Sequence, residues 1–333
     1  MTHPHWREGA EPRETEPQAR LKGGAHRGNW GGRLKMKHTL ALMLAVAVAA
    51  TVAAVANAMS FGPWQPAQNL EAVGGDDSLN TAALEGCPSI SRNGLRLFFA
   101  SNRAGGYGGL DIYITTRASV DDPWGAPVNA GAPINTSGDE FCPTPRRDGH
   151  GLLFVSTRAG GCGGSDMYST RWHPLHGWAE PVNLGCDVNS AADEASPFIV
   201  GDEFYFSSTR SGTSKIYVAP IAEDGSIGEP VLAPGLNSSA SDARPNLRRD
   251  GLEIFFDSTR AGGCGGADLW TSTRVSTSDP WTTPTDLGCD VNSSANDLRS
   301  SLSWDGTHLY FGSNRSGSEG NLDLYVTTRA RTR

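Results

Sequence analysis

One phrase that recurs down the chain decides the fold. It reads FFASNRAGGYGGLDIY at 98–113, LFVSTRAGGCGGSDMY at 153–168 and FFDSTRAGGCGGADLW at 255–270, with weaker copies YFSSTRSGTSKIY at 205–217 and YFGSNRSGSEGNLDLY at 310–325. Each copy joins a turn with glycine and Asp or Asn to an aromatic strand, then to a glycine loop and a second strand. A period of this size predicts a tandem array of supersecondary units.

A second phrase, built around tryptophan, lies between the copies of the first. WAEPVNLGCDVN begins at Trp178, and related stretches begin at Trp64, Trp124, Ile227 and Trp281. Together the two phrases predict four short antiparallel strands per unit, the fourth beginning at the Trp. Five units of this kind predict an all-β fold, a β-propeller of five four-stranded blades. Because the chain opens on a Trp strand and ends after a third strand, we expect the N-terminal Trp strand to pair beside Leu324–Thr327 and close the ring.

The repeated phrase also resembles the TolB-type, WD-like propeller repeats of bacterial envelope proteins. The resemblance covers about residues 64–329 and rests on the aromatic strand, the S-[NT]-R triplet, the double glycines and the D-Φ-Y strand. It implies a propeller fold and a place in the cell envelope. Such blades serve binding proteins, Pal-associated scaffolds and peptidase caps alike, so the resemblance names no single activity.

Residues 1–58 differ in character from the repeats. The apolar run 39–58 follows Lys35 and Lys37 and ends in Ala56-Asn57-Ala58. These are the parts of a secretory signal peptide, so we expect cleavage after Ala58, with a retained membrane anchor as the alternative. Residues 1–58 are then an N-terminal extension and signal peptide, and residues 59–333 are a single periplasmic or secreted propeller domain.

The exported domain is acidic. Residues 1–58 hold 8 of the 28 Lys and Arg and 4 of the 36 Asp and Glu, which leaves 20 basic and 32 acidic side chains. Nucleic acid and anionic membranes both require a basic face, so neither is an expected partner. We expect a monomer with no transmembrane span in the mature protein.

The six cysteines predict three disulfides. Cys162 and Cys186 occupy two places in one unit, and Cys264 and Cys289 occupy the same two places two units later, so each pair is expected to be bonded. By elimination Cys87 pairs with Cys142. Metal binding is the alternative, but the chain has no CxxC and its histidines are scattered, so no metal and no cofactor are expected.

The arginines and aspartates of the repeat are candidates for ligand binding. In four units an S-[NT]-R arginine is matched by an aspartate before the third strand, whereas Lys215 stands at the Asp place in the unit of Arg210. A structural role is favoured: each Asp accepts hydrogen bonds from the arginine or from loop amides. If the groups converged on one face, they would suit an anionic or sugar ligand. The candidates are Arg103, Arg158, Arg210, Arg260, Arg315, Asp111, Asp166, Asp268 and Asp323.

Catalysis requires residues that break the repeat. Asp257 replaces a small residue found in every other unit, and it is the one candidate for a catalytic carboxylate. A glycosidase needs a second carboxylate at a defined separation, and none is as clear. His173 and His176 flank an insertion but have no further ligands beside them. The preferred interpretation is a non-catalytic binding or scaffold module that recognises an envelope protein or a glycan. The alternative is a carbohydrate-active hydrolase that uses Asp257.

Overall fold

The repeated phrases form the second and third strands of five antiparallel sheets. A computed structural model describes residues 59–332, and the regular elements among these residues are all β strands. The five sheets are the blades of a five-bladed β-propeller, as the repeats predicted. No helix in this part of the chain is long and apolar enough to cross a membrane. The expected signal peptide and cleavage after Ala58 lie at or before the first described residue and stay a prediction.

The strands, numbered in chain order, are assigned to blades A to E. The first two, β1 (Ser60–Phe61) and β2 (Gln68–Asn69), precede blade A. Blade A contains β3 (Glu85–Ile90), β4 (Arg96–Ser101), β5 (Asp111–Thr116) and β6 (Val128–Asn129). Blade B contains β7 (Glu140–Pro145), β8 (Gly151–Ser156), β9 (Asp166–His173), β10 (Gly177–Trp178) and β11 (Val182–Asn183). Blade C contains β12 (Glu194–Val200), β13 (Glu203–Ser208), β14 (Lys215–Pro220) and β15 (Val231–Leu232). Blade D contains β16 (Asp242–Leu247), β17 (Glu253–Ser258), β18 (Asp268–Thr273) and β19 (Thr285–Asp286). Blade E contains β20 (Asp297–Leu302), β21 (His308–Ser313) and β22 (Asp323–Thr328), and β23 (Arg331–Thr332) follows it.

The N-terminal strand closes the ring as expected. Strand β2 pairs antiparallel with β22, Gln68 opposite Val326 and Asn69 opposite Tyr325, so blade E is completed by both ends of the domain. A second pairing, β1 with β23, joins Phe61 to Arg331. The ring therefore has no open blade edge at its seam.

The fourth strands are shorter than predicted and begin after the tryptophan. In each blade two paired residues follow the Trp or Ile by four residues, as Val128–Asn129 follows Trp124. A proline precedes each of these strands (Pro66, Pro127, Pro181, Pro230 and Pro284), and proline has no N–H for the ladder. The tryptophan instead packs between blades: Trp124 of blade A lies in a cluster with Tyr310 and Leu324 of blade E.

The inner strand of each blade carries a bulge at the same position. The pairing of each inner strand with the second strand changes register two to three residues after the inner strand begins. The residue at this point has a positive φ, between 46° and 63°, although it is not glycine in any of the five blades. These five residues line the axial channel of the propeller: Cys87, Cys142, Ser196, Arg244 and Arg299. We call them the axial ring.

All three predicted disulfides are formed. Cys162–Cys186 and Cys264–Cys289 join the glycine loop to the loop after the fourth strand within blades B and D, with Cα atoms 5.5 and 5.6 Å apart. Cys87–Cys142 joins the inner strands of blades A and B across a Cα separation of 4.8 Å. This last pair forms two members of the axial ring, so the pairing predicted by elimination is confirmed.

Candidate functional site

The arginines of the S-[NT]-R triplets are clamps within the blades, and their carboxylate partners differ from those expected. Each guanidinium meets the acidic residue that begins the inner strand, as Arg103 meets Glu85 at 3.1 Å. The same holds for Arg158 with Glu140, Arg210 with Glu194, Arg260 with Asp242 and Arg315 with Asp297. Arg103 also donates to the carbonyls of Ser78 and Leu79 and lies over the Phe99 and Tyr113 rings. The expected Arg–Asp pairing within each triplet unit is therefore wrong.

The aspartates that begin the third strands accept hydrogen bonds from loop amides, which is the second of the two structural roles expected for them. An Asp111 oxygen accepts from the Tyr107 amide at 2.5 Å, and Asp166 accepts from the Cys162 amide at 2.6 Å. Asp268 and Asp323 accept from the amides of Gly265 and Glu319. Because each carboxylate is held by its own loop and largely buried, these residues do not converge on a shared ligand site.

The double glycines bring each loop against the next blade. A Cβ at Gly108 would clash with the Gly138 carbonyl, and one at Gly163 would clash with the Ser190 and Ala192 carbonyls. A Cβ at Gly265 or at Gly320 would likewise clash with backbone carbonyls of the blade that follows. Blade C lacks this loop, and there the Lys215 ammonium donates to the carbonyls of Ser238 and Ala240 in the equivalent turn. The glycine loops are thus contacts between blades.

Asp257 lies beneath the axial ring in an ion-paired pocket. Its side chain is 4% exposed; Arg244 Nη1 donates to Oδ2 at 2.7 Å and the Arg299 amide donates to Oδ1 at 3.0 Å. Burial raises the pKa of Asp257, and Arg244 opposes that shift. Burial and the nearby Arg244 charge lower the pKa of Arg299 to about 9, although Asp257 opposes this.

The channel is almost filled at the level of the axial ring. The cavity there measures about 30 Å³ and is lined by the Cys87–Cys142 disulfide, Arg244 and Arg299, with neighbouring residues of the inner strands. This volume admits one water molecule and no sugar ring. Asp257 therefore cannot meet a substrate through the channel, and among residues 59–332 the charged groups that act on it are Arg244 and Arg299.

Above the axial ring the channel widens into a cavity that we call the axial bowl. It has a volume of about 310 Å³ and is lined by the ends of all five inner strands and by the turns that follow four of them. Its apolar floor includes Ile90, Leu153, Phe198, Leu247 and Leu302. The inner strands that converge on the propeller axis make this surface concave.

Three arginines converge on one tryptophan at the bowl. The guanidinium carbons of Arg92, Arg147 and Arg249 lie 4.7, 5.2 and 5.6 Å from the centre of the Trp304 ring. These four residues hold the same place in their turns, two residues after the inner strand of blades A, B, D and E. Blade C has the shorter Gly201-Asp202 turn and contributes only Phe198 and Ile199. Blade C therefore adds no arginine to those that surround the mouth of the bowl.

The charged groups of the bowl influence one another. Burial and the nearby Arg92 charge lower the pKa of Arg147, and Asp250 opposes that shift. Asp148 is the carboxylate that lines the bowl. Burial alone would raise the pKa of Asp148, but the His150 amide, Arg171 and Arg146 outweigh it and lower that pKa.

A groove runs outward from the bowl between blades A and B. It has a volume of about 420 Å³ and shares Arg92, Pro145, Arg146, Arg147 and Asp148 with the bowl. Arg96 and Asn93 line it further out, and Trp178 of blade B lies at its outer part. The Trp178 ring is held by an edge contact with Trp172, with ring centres 5.3 Å apart.

The histidines of the blade B insertion stack on each other. The His173 and His176 rings are 4.7 Å apart at the tip of the β9–β10 hairpin. Within residues 59–332 no group of three His, Cys, Asp or Glu side chains is arranged to hold a metal ion.

The sequence analysis missed Arg92, Arg147, Arg249 and Trp304. A signal for them exists, because they occupy one place in the repeat, just before Asn-Gly or Asp-Gly. Three of the four are arginine and the fourth is tryptophan, but the repeat itself does not show which turns point toward the axis.

Comparison with known proteins gives neighbours in structure only. No protein-family model and no curated protein sequence matches the chain. The α-L-arabinofuranosidase of Lactobacillus brevis is similar in fold, with 14% identity, a TM-score of 0.52, and coverage of 77% of this chain and 92% of that enzyme. The endo-arabinase of Bacteroides thetaiotaomicron has 16% identity and a TM-score of 0.49 over 77% of this chain and 99% of that one. A protein of Agrobacterium tumefaciens assigned as TolB has 16% identity and a TM-score of 0.48 over 83% and 100%.

These comparisons correct the functional expectation. Most of the structural neighbours are glycoside hydrolases, several of them of family GH43, and one is a TolB-like propeller. The interpretation as a non-catalytic scaffold is therefore wrong, and the carbohydrate-active alternative is the better supported one. At identities of 13 to 16% the likeness itself shows the fold, and the chemistry has to be argued from the site.

Proposed function

We propose that this protein is a carbohydrate-active hydrolase whose saccharide site is the axial bowl. The observation that carries the proposal is Trp304, an indole ring at the mouth of a 310 Å³ cavity with three guanidinium groups around it. The Trp304 ring holds these guanidinium groups together by cation–π contacts, and arginines supply rigid arrays of donors to the oxygens of a sugar. The structural neighbour from Lactobacillus brevis is named as an α-L-arabinofuranosidase, which supports a saccharide substrate.

The proposed chemistry needs a carboxylate in contact with the saccharide, and the bowl supplies Asp148. Asp148 lines the bowl and has a lowered pKa, so it is ionised at neutral pH and suits the role of base or nucleophile. Asp250 holds the same turn position in blade D, but it lies outside the lining of the bowl and its carboxylate accepts from Arg248 Nε at 2.8 and 3.0 Å, so it is given no catalytic role. Asp257 has no part in the proposal, because it lies enclosed below the axial ring.

An exported protein suits this function. The three disulfides are compatible with an oxidising compartment, and the apolar run at 39–58 is expected to direct the chain there. The proposed setting is therefore the periplasm or the medium, where polysaccharides are available, with a glycan as the partner and a monomer as the acting form.

The test is release of reducing ends by the purified full-length chain from a panel of neutral and acidic polysaccharides. Wild-type protein is expected to release them from at least one, and D148N is expected to lower the rate by a factor of about 100 or more. D257N serves as the matched carboxylate control and keeps its activity per folded molecule. No product from any polysaccharide, or full activity in D148N, would contradict the proposal.

A further inference from the structure

We infer that the glycan taken by this site is a polyanion, a chain of sugars carrying repeated carboxylate or sulfate groups, and that it lies along the groove between blades A and B. The inference rests on the saccharide site proposed above and adds the class of substrate and the direction in which the chain runs. It stands on the charge of the site, on its unpaired guanidinium groups and on its shape.

The charge of the site opposes that of the protein. The full chain has a formal net charge of −8, yet the bowl and groove together present Arg92, Arg96, Arg146, Arg147 and Arg249 against the single carboxylate of Asp148. A concave surface of one sign concentrates the field and attracts ligands of the opposite sign. A neutral glycan would not benefit from this arrangement.

Most arginines of the described chain are neutralised, whereas among the five that line the site only Arg146 is near a carboxylate, Asp148 at 4.0 Å. Arg103, Arg158, Arg210, Arg260 and Arg315 each lie within 4.0 Å of a buried carboxylate. Within residues 59–332, by contrast, Arg92, Arg96, Arg147 and Arg249 have no carboxylate within that distance. Arg147 is half-buried, and the Arg92 charge lowers its pKa. Like charges held together without partners lower their energy when an anion binds between them.

The shape of the site suits an extended chain. The bowl and groove share four charged residues and form one continuous depression with Trp304 at the axis and Trp178 toward the outside. Volumes of about 310 and 420 Å³ each fall in the range of small-ligand sites, so the two parts can hold successive sugars. Aromatic rings at both ends and guanidinium groups between them match a chain with apolar sugar faces and anionic substituents.

The experiment measures equilibrium binding to the full-length protein by calorimetry. The probes are oligogalacturonides of one, three and six residues, a sulfated oligosaccharide, and a neutral oligosaccharide of six residues. We expect the acidic hexamer to bind at least tenfold more tightly than the neutral one. We expect its affinity to fall with rising salt, because screening weakens charge contacts at an open groove.

Variants separate the two parts of the site. The pair R92Q/R147Q should weaken acidic hexamer binding about tenfold or more, since charge-assisted contacts are lost. R331Q removes the same charge from a position outside both cavities and should leave the affinity unchanged. W178A should weaken the hexamer but not the monomer, whereas W304A weakens both and W304F restores part of the loss. Urea unfolding of each variant confirms that it is folded.

Each outcome decides one question. Tighter binding of the galacturonides identifies carboxylates as the anions, and tighter binding of the sulfated probe identifies sulfates. Equal affinity for neutral and acidic hexamers, or no effect of R92Q/R147Q, overturns the inference. If acidic chains bind but no reducing ends are released, the hydrolase proposal fails and this inference stands. If reducing ends are released from neutral chains alone, the hydrolase proposal stands and this inference fails.

Discussion

At the scale of single residues, the channel departs from the repeat at three linked positions. Asp257 stands where the other blades have Ala100, Val155, Ser207 and Gly312, and it faces Arg244 and Arg299 of the axial ring. The other ring positions hold a disulfide and a serine. A buried carboxylate is thus present where it pairs with the Arg244 guanidinium and its charge offsets that of the buried Arg299 side chain. Its departure from the repeat signals an internal ion pair.

Removing that charge should destabilise the fold. Asp257→Asn keeps the shape of the side chain but leaves Arg244 and Arg299 unneutralised, so we expect a loss of about 3 kcal/mol in the free energy of unfolding, measured with urea. Adding Arg299→Met should recover part of the loss, because it removes one of the two repelling charges. Unchanged stability in Asp257→Asn would show that the ion pair contributes nothing.

The lowered pKa of Asp148 predicts the pH dependence of hydrolysis. A carboxylate whose pKa in the folded protein lies below its ordinary value stays ionised until the pH falls through that lowered pKa. The acidic limb of kcat/KM should therefore lie below about pH 4. Arg171→Gln should move the limb to higher pH by a few tenths of a unit, since the Arg171 contact at 3.2 Å is solvent-exposed. A limb above pH 5 would exclude Asp148 as the ionised group.

At the scale of the structural element, the glycine loop is the contact that sets one blade against the next. The second glycine pair approaches the carbonyl groups of the following blade so closely that no Cβ fits. Lys215 makes the same connection in blade C through hydrogen bonds to Ser238 and Ala240. Two different sequences therefore make the same kind of contact between blades: the glycine loop in the other four, and Lys215 at the Asp place in blade C.

A methyl group in this loop should separate the blades. Gly163→Ala places a Cβ against the Ser190 and Ala192 carbonyls, so we expect about 1–3 kcal/mol of destabilisation from overpacking. Gly62→Ala is the matched control, because its Cβ would meet only the Ala330 oxygen at an ordinary 3.8 Å. The measurement is the urea midpoint of both variants, and equal midpoints would contradict the assigned role.

At the scale of the whole molecule, the ring depends on the pairing of its two ends. Strand β2 supplies the outer strand of blade E, and Arg329 lies over the rings of Phe61 and Trp64, 3.9 and 4.4 Å from their centres. Trp64 also contacts Phe255 of blade D edge-on. The segment 60–69 therefore holds blades D and E together.

Deleting that segment should open the ring. A chain beginning at Glu71 leaves the edge of β22 unpaired, so we expect aggregation or a lower urea midpoint, measured by size-exclusion chromatography and unfolding. A chain beginning at Met59 is the control and should remain monomeric with an unchanged midpoint. A monomeric, fully stable chain from Glu71 would show that closure does not depend on β2.

The sequence by itself determined the number of blades, the closure of the ring and the three cysteine pairs. These follow from spacing along the chain, because tandem units meet their neighbours in order and equivalent positions occupy equivalent places. It also marked Asp257 as exceptional, although it could not show which charges lay beside it.

Only the tertiary structure decided the partners of the charged residues. Each S-[NT]-R arginine binds the carboxylate that begins the inner strand of its own blade, and neither spacing nor composition distinguishes that partner from the aspartate of the third strand. Arg92, Arg147, Arg249 and Trp304 come from four blades and meet because their turns all point toward the axis on one face. A repeat specifies which positions are equivalent, whereas the curvature of the closed ring decides which of them meet at its centre.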